Sequence, residues 1–464
     1  MSILVALFDR IWGRMSEKPL AVAGLIVLTT AVVAAIPRSV IAFLVFIGSL
    51  LAIYYARFDN RYKLAMAVVT LGVLLPGIGL LNRYYLDVAI QVGIYMALAL
   101  GLNIVVGFAG LLDLGYVAFY ATGAYVWGIF GSSQAGNFIA KSVVSFPLNG
   151  DWFWLFLVLA VMAAATAGIL LGLPVLRLKG DYLAIVTLGF GEIIRIVLNN
   201  LDKPINITNG PNGISPVQAP AIFGLKLSQG IHYYFLVLLI VLVVITVARR
   251  LERSRIGRAW EAIREDETAA AAMGVPVVRM KLLAFAMGAS FAGAMGAVFA
   301  SKQTFIDPSS FSFMESIGVL AMVILGGMGS IPGALIGATC VVVLQLQVLK
   351  SLSDWFSQLR NSGILKLPTQ LEIAKYEKLV FGLILIIMMI YRPTGLIPAE
   401  RRKHELEQAA GEDVDTPTST GPPLPGAGVP GEGPAIEGHG GRGGAVVGPG
   451  SPAAPLGGDG RGLA

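Results

Sequence analysis

Charged residues are scarce in this chain of 464 residues: Asp, Glu, Lys and Arg together make up 13% of it. Soluble domains carry about 25%. Hydrophobic residues make up 56%, and the mean hydropathy is +0.75. So few charges cannot cover a water-exposed surface, so the composition indicates a protein that crosses a membrane several times. The net charge of +6 is modest and does not suggest nucleic-acid binding.

The sequence lacks the residues that several chemical functions require. Cysteine occurs once, at Cys340, which excludes an intrachain disulfide. The three histidines, His232, His404 and His439, are far apart, which argues against a His-based metal site. The P-loop pattern G-x-x-x-x-G-K-[ST] is absent, so nothing indicates ATP hydrolysis by the chain itself. We expect no catalytic residue, no metal and no cofactor, and a membrane-embedded enzyme is disfavoured.

Long apolar runs predict the fold class, an all-α bundle of about 10–12 membrane spans. A spanning helix needs about 20 apolar residues. The candidate spans are 20–36, 39–56, 63–81, 86–106, 109–131, 152–174, 180–199, 231–249, 280–301, 313–328, 331–349 and 378–397. The first run follows three basic residues as in a signal peptide. A second run comes at once and the cleavage pattern is poor, so we expect a retained first helix.

The distribution of positive charge predicts the orientation. With twelve spans and a cytoplasmic N-terminus, 20 Lys and Arg residues fall inside and 11 outside. Positive residues concentrate in cytoplasmic loops, which favours this arrangement. Both termini and the loop 249–281 would then be cytoplasmic.

Glycine and proline dominate the end of the chain. They fill 26 of the 54 positions from Gly411 onward, and no apolar period survives there. This composition is typical of disorder. We therefore expect a disordered cytoplasmic tail at 401–464.

The stretch GLNIVVGFAGLLDLGYVAFYATGAYV, residues 101–126, is apolar but holds five glycines and one acid. Unsatisfied backbone groups are costly in lipid, so irregular backbone is tolerated only inside the protein or beside a wet cavity. We expect a broken or re-entrant segment in which Asp113 caps the following half-helix, between Gly110 and Gly115. A direct substrate contact is the alternative for Asp113. Asn103 is expected to form an interhelical hydrogen bond.

Other polar residues are candidates for the path or its scaffold. Glu192 and Arg195 share one helix face, so they are expected either to pair or to snorkel towards the membrane edge. Glu315 opens a span, where a carboxylate favours the helix N-terminus. The segment TNGPNGI (208–214) is expected to be an external turn that could contact a binding protein. Its candidate residues are Asn209, Gly210, Asn212 and Gly213.

The longest basic loop, 249–281, contains good helix formers from Arg258 to Met273, followed by Gly274 and Pro276. These predict one short helix between two spans. It is either an interfacial helix or a docking element for a cytoplasmic partner.

Five motifs of this chain resemble those of one known protein family. AIREDETAAAAMGVPVVRMKLLAF (262–285) resembles the cytoplasmic motif of permeases of the branched-chain amino-acid ABC transporter family, in its LivM-like branch. The Gly-rich stretch (101–125), TNGPNGI, ESIGVLAMVILGGMGSIPGALIGA (315–338) and YRPTGLI (391–397) also look like that family's patterns. The resemblance covers roughly residues 84–400, which it implies to be the transmembrane domain of the permease. Residues 1–83, with about three spans, look like the N-terminal extension of some members.

The resemblance implies a permease subunit that imports leucine, isoleucine and valine across the bacterial inner membrane. Its implied partners are two cytoplasmic ATP-binding subunits, a second related permease and a periplasmic or surface binding protein. The residues implied to couple to the ATPase are Glu265, Asp266, Glu267, Ala269, Ala270 and Gly274. One departure is Thr268, where the general importer motif has an acid before the alanines.

Two other functions remain open at this point. A urea or short-chain amide importer shares the permease family and would differ in substrate competition. An ion-coupled secondary transporter would work without ATP, and such proteins usually carry more intramembrane charge.

Overall fold

The computed structural model describes most of the chain between residues 18 and 397. The described residues are 18–36, 39–56, 58–139, 145–175, 178, 180–361, 377–392 and 395–397. The predicted disordered tail lies outside them.

Helices make up about four fifths of the described residues. The first are α1 (Pro19–Ala35), α2 (Val40–Tyr55), α3 (Asn60–Val69), α4 (Leu75–Leu81) and α5 (Arg83–Leu102). The middle ones are α6 (Val117–Phe130), α7 (Phe153–Val175), α8 (Asp181–Asn200) and α9 (Gly230–Glu252). The last are α10 (Arg255–Glu265), α11 (Glu267–Ala272), α12 (Val277–Gln303), α13 (Phe313–Gly326), α14 (Ile331–Val343), α15 (Lys350–Asn361) and α16 (Glu377–Tyr391).

Wider π-helical turns extend or join some of these helices. They are Thr70–Leu74 between α3 and α4, Asn103–Phe108 after α5, and Leu344–Leu349 between α14 and α15. Short 3₁₀ turns occur at Ser133–Asn137, Gly150–Trp152, Gly210–Asn212 and Pro308–Phe311. The described strands, β1 (Ala221–Ile222) and β2 (Leu225–Lys226), pair as one small antiparallel sheet.

Seven helices among the described residues are long and apolar enough to cross a membrane. They are Arg61–Leu81, Arg83–Phe108, Gly150–Pro174, Tyr182–Asn200, Gly230–Glu252, Val277–Gln303 and Ile331–Trp355. Four shorter apolar helices are α1, α2, α6 and α13. The predicted all-α polytopic bundle is confirmed. The predicted span 109–131 was too long, since its helix begins only at Val117.

The core lies around α12. In the most apolar part of this helix, 72% of the residues are buried. Small residues allow the close approach, as is common between membrane helices. A Cβ at Gly123 of α6 would lie 2.1 Å from the Gly293 carbonyl oxygen of α12, so neither helix could keep its position with a larger residue there.

The two ends of the bundle are distinguished by their loops. We call the end that carries α10 and α11 the hairpin side, and the opposite end the loop side. On the loop side, the Gln218 amide donates to the Gly131 carbonyl (2.8 Å), and the Val217 amide donates to the Thr304 carbonyl (2.9 Å). These bonds tie the segments after α6, α8 and α12 together, so those helix ends share one side.

Candidate functional site

The helical run that starts with α5 breaks after Phe108, and helix resumes at Val117. Between them, the fully buried Asp113 accepts a hydrogen bond from the Gly115 amide through Oδ1 (2.9 Å). The Leu114 amide donates to Thr187 Oγ1 of α8 (3.0 Å). The predicted break in the Gly-rich stretch is confirmed, and polar side chains satisfy its backbone as a membrane interior requires.

The predicted capping role of Asp113 needs correction. Its carboxylate closes a local turn two residues before α6 and makes no bond to the first turn of that helix. The Val117 amide instead donates to Ser316 Oγ (3.2 Å), which belongs to α13. The cap therefore comes from another helix, because the Gly115 amide, which lies before the first turn of α6, holds the Asp113 carboxylate.

The N-termini of α6 and α13 meet at this bond. Each helix has 14 residues. At 1.5 Å per residue that is about 21 Å, less than the roughly 30 Å of a bilayer core. From the meeting point α6 runs to the loop side, and α13 runs to the hairpin side. The two short helices therefore begin inside the bundle and leave it in opposite directions.

A small groove, with free space of about 10 Å³ or room for one water molecule, opens beside the meeting point. Its lining includes Leu114, Val117, Gly191, Glu192, Ser312 and Ser316. Helix N-termini carry partial positive charge, whereas Glu192 brings a carboxylate. The groove thus presents both signs of charge beside apolar side chains.

Two carboxylates near the groove have defined partners. Glu192 pairs with Arg195 on α8, with 2.7 Å between Oε2 and Nη2, as the pairing alternative predicted. Their side chains remain 31% and 37% exposed. Glu315 lies in the first turn of α13 as predicted, and it accepts a hydrogen bond from the Tyr95 hydroxyl of α5 (2.9 Å). Glu315 therefore links α13 to α5.

The TNGPNGI segment forms the predicted turn on the loop side. Asn209 adopts a left-handed conformation, and its side chain donates to the Gly213 carbonyl (2.8 Å). Gly210 and Asn212 belong to a single 3₁₀ turn. Ile214 then pairs with Ile306 by backbone hydrogen bonds, which attaches the turn to the segment after α12.

On the hairpin side, Asn103 bridges two helix ends. Its Oδ1 accepts from the Gly329 amide (2.8 Å), and its Nδ2 donates to the Ser330 carbonyl (3.4 Å). The expected interhelical hydrogen bond of Asn103 is confirmed. It joins the π-helical end of α5 to the turn between α13 and α14.

The predicted single helix of the basic loop is two helices. α10 is capped by Ser254, whose Oγ accepts from the amides of Ile256 and Gly257. Asp266 interrupts the helix, and its Oδ1 accepts from the amides of Thr268 and Ala269, so it starts α11. An aspartate is a strong N-cap, and this local preference outweighs the helix propensity of its neighbours. Gly274, at a φ of +86°, ends α11 as predicted.

We call α10 and α11 together the hairpin. Two buried contacts attach it to the start of α12. The fully buried Trp260 donates from Nε1 to the Met280 carbonyl (2.7 Å). Lys281, only 4% exposed, forms an ion pair with Glu267 at 2.8 Å. Losing either contact would leave a buried polar group of Trp260 or Lys281 without its partner, which is costly, so these contacts hold the hairpin against the start of α12.

The six coupling candidates fall into different environments. Glu265, Asp266, Ala269 and Gly274 are exposed. Asp266 caps α11, and Glu267 pairs with Lys281. Ala270 is only 4% exposed and packs into the hairpin. The structure therefore leaves the exposed face around Ala269 accessible, and it gives Glu267 and Ala270 an internal role.

Several polar contacts were not foreseen. The Arg264 guanidinium donates to the Gly107 carbonyl, although the sequence marked Arg264 only as a positive charge. Ser316, Thr187 and Tyr95 also had no sequence signal, because a single hydroxyl among apolar residues does not reveal its partner. No cluster of His, Cys, Asp or Glu suited to a metal occurs among the described residues.

Comparisons with known proteins bear on the family. The protein-family model described as branched-chain amino acid transport system permease component matches residues 84–389 of this chain. This chain belongs to that family of permease components. The high-affinity branched-chain amino acid transport system permease protein LivM of Escherichia coli is 40% identical over 368 residues, which cover 74% of this chain and 77% of that protein.

More distant relatives of this permease were also found. The probable LivM permease of Methanocaldococcus jannaschii is 26% identical over 328 residues, or 66% of this chain and 91% of that protein. The permease protein LivH of Salmonella typhimurium is 24% identical over 311 residues, or 65% of this chain and 91% of that protein. No solved structure matches the permease.

Proposed function

We propose that this permease is the LivM-type subunit of an ABC importer that moves leucine, isoleucine and valine across the cytoplasmic membrane of a bacterium. The 40% identity to LivM over three quarters of the chain carries this proposal. Its partners are two cytoplasmic ATP-binding subunits, a second permease of the LivH type and a periplasmic or surface binding protein. ATP hydrolysis belongs to the partner subunits, so this chain is not itself an enzyme.

The hairpin side is the cytoplasmic side in this proposal. The excess of Lys and Arg in the loops assigned to that side supports it. The ATP-binding subunits dock on the exposed residues around Ala269 and Glu265. The turn 208–214 then faces the binding protein. Residues 1–83 form an extension outside the permease domain, since the family match begins at residue 84.

The translocation path follows the groove where α6 and α13 begin. An intramembrane carboxylate such as Glu192 normally faces protein or a wet cavity, because exposure to lipid is costly. A branched-chain amino acid carries a carboxylate, an ammonium group and an apolar tail. The helix N-termini suit the carboxylate, Glu192 suits the ammonium group, and Leu114 offers apolar contact. Asn103, Gly110, Asp113, Gly115 and Glu315 form the scaffold of this path.

The experiment is uptake by the complete complex. The chain, its neighbouring permease, the ATP-binding subunits and the binding protein are reconstituted in vesicles, and labelled leucine is measured with and without ATP. We expect ATP-dependent uptake that excess isoleucine and valine inhibit. If only urea or acetamide inhibited the uptake, the proposed branched-chain substrates would be wrong. Uptake without ATP would show that the protein is not part of an ATP-driven importer.

A further inference from the structure

The side chain of Arg264 reaches from the hairpin to the break in the α5 segment. It donates a hydrogen bond to the Gly107 carbonyl. Gly107 lies in the last π-helical turn, where carbonyl groups have lost their partners within the helix. A cation near a helix C-terminus is also favoured by the helix dipole. Arg264 therefore satisfies a backbone group that the break would leave unpaired.

The same side chain lies against two more glycines. A Cβ at Gly110 would be 2.8 Å from Arg264 Cγ, and a Cβ at Gly329 would be 3.0 Å from Nη1. Both glycines have positive φ, at +69° and +81°. Larger residues would be strained there and would displace the arginine. We call Asn103, Gly107, Gly110, Arg264 and Gly329 the junction.

The junction connects the hairpin to both short helices. Gly110 lies in the segment that leads to α6, and Gly329 lies in the turn that follows α13. The N-termini of α6 and α13 meet beside the groove, where the Val117 amide donates a hydrogen bond to Ser316 Oγ. Arg264 is thus a side chain of the hairpin that touches the segments next to both α6 and α13.

Trp260 and Lys281 hold the hairpin against the start of α12. When a docked ATP-binding subunit moves the hairpin, the backbone of Arg264 therefore moves with it. Because Arg264 holds the Gly107 carbonyl through a charge-assisted hydrogen bond, displacement of Arg264 pulls directly on the Gly107 backbone.

We propose that Arg264 is the positioning residue that transmits ATP-driven movement of the hairpin to α6 and α13, and so opens and closes the groove. This inference rests on the proposed function, because it requires a motor that moves the hairpin. It adds a specific mechanical contact between the docking surface and the path.

The test uses the complete complex in vesicles and compares Arg264→Ala with Arg255→Ala. Arg255 is an exposed residue of the same helix, so it controls for loss of one positive charge. We expect Arg264→Ala to assemble and hydrolyse ATP, with leucine uptake per ATP reduced about tenfold, as for loss of one hydrogen bond to a charged donor. Arg264→Lys should retain part of the coupling, since it keeps the charge but loses the planar fork. Arg255→Ala should keep the wild-type ratio.

An unchanged ratio of uptake to hydrolysis in Arg264→Ala would overturn the inference. If that variant fails to assemble, Gly110→Ala tests the junction from its other side, because its new Cβ displaces the arginine stem; a wild-type ratio there would also overturn the inference. Failure of the wild-type complex to take up leucine with ATP is a different result, since it removes the proposed function before any variant is compared.

Discussion

Two spans of this permease, α12 and α8, have opposite environments. In the most apolar part of α12, 72% of the residues are buried, compared with 22% in α8. Yet α8 carries the Glu192–Arg195 ion pair, and both side chains are partly exposed. Charge on a lipid-facing surface is unfavourable. The comparison indicates that α12 is the internal support of one subunit, whereas α8 has a face that another protein or a wet path must cover.

The largest expected effect is on the contact between α6 and α12. Gly123→Ala would place its Cβ 2.1 Å from a backbone oxygen of α12, so the helices must separate. Overpacking of this kind destabilises by about 1–3 kcal/mol in well-packed cores. We expect a lower yield of monodisperse protein and a lower melting temperature in detergent.

Gly189→Ala on α8 is the matched control, because nothing lies within 4 Å of its Cβ position. It should keep the wild-type melting temperature. Equal destabilisation by both substitutions would break the comparison between the two spans.

The same contrast occurs between neighbouring residues of α11. Ala270→Arg would force a charge into a buried position and should disrupt the hairpin, because an unpaired buried charge is costly. Ala269→Arg, on the exposed face, should leave membrane insertion intact but abolish uptake by blocking the ATP-binding subunit. Copurification with that subunit and uptake in vesicles measure the two effects.

Normal uptake by Ala269→Arg would show that the ATP-binding subunit does not dock on the exposed face around Ala269. A folded hairpin in Ala270→Arg, judged by protease resistance of the loop, would contradict its buried environment.

A smaller effect is expected from breaking the ion pair on α8. Glu192→Leu leaves Arg195 unpaired, which costs up to about 2.5–3.5 kcal/mol if the arginine faces the bilayer centre. The amount of protein in the membrane should fall. Glu192→Leu combined with Arg195→Leu should recover that amount but not leucine uptake, since the carboxylate of the groove is still missing.

Recovery of uptake in the double variant would show that Glu192 serves only as the partner of Arg195. Quantitative blotting of membranes, with uptake normalised to protein, separates insertion from transport.

The least disruptive test asks what covers α8. Cys340 is the single cysteine of the chain and is first replaced by alanine. New cysteines at Ile193 and Ile196, both exposed on α8, should cross-link to the second permease in membranes. A cysteine at Ala292 of α12, which is fully buried, is the matched control and should not react.

Cross-linking of Ala292→Cys, or none at either α8 position, would contradict the expectation that the second permease covers the exposed face of α8.

Much of the fold followed from local rules. Apolar length predicted the spans, and Gly274 predicted the end of the hairpin. The glycines around Asp113 predicted a break, because lipid does not tolerate unsatisfied backbone. The single loop helix was a wrong prediction, since summed propensity hid the cap at Asp266. The cap of α6 was also assigned to the wrong residue, because Ser316 comes from α13, almost 200 residues along the chain.

The sequence alone determined the class of the molecule: its membrane location, its helical spans, its break and its family all depend on composition and local motifs. Tertiary structure decided which residues act together. Arg264 with Gly107, Asn103 with Gly329 and Ser316 with Val117 are each separated by more than 150 residues. The physical reason is that membrane interiors require backbone polar groups to find partners, and each of these three pairs satisfies a backbone amide or carbonyl. The requirement is visible in the sequence, but the partner is chosen by how the helices pack.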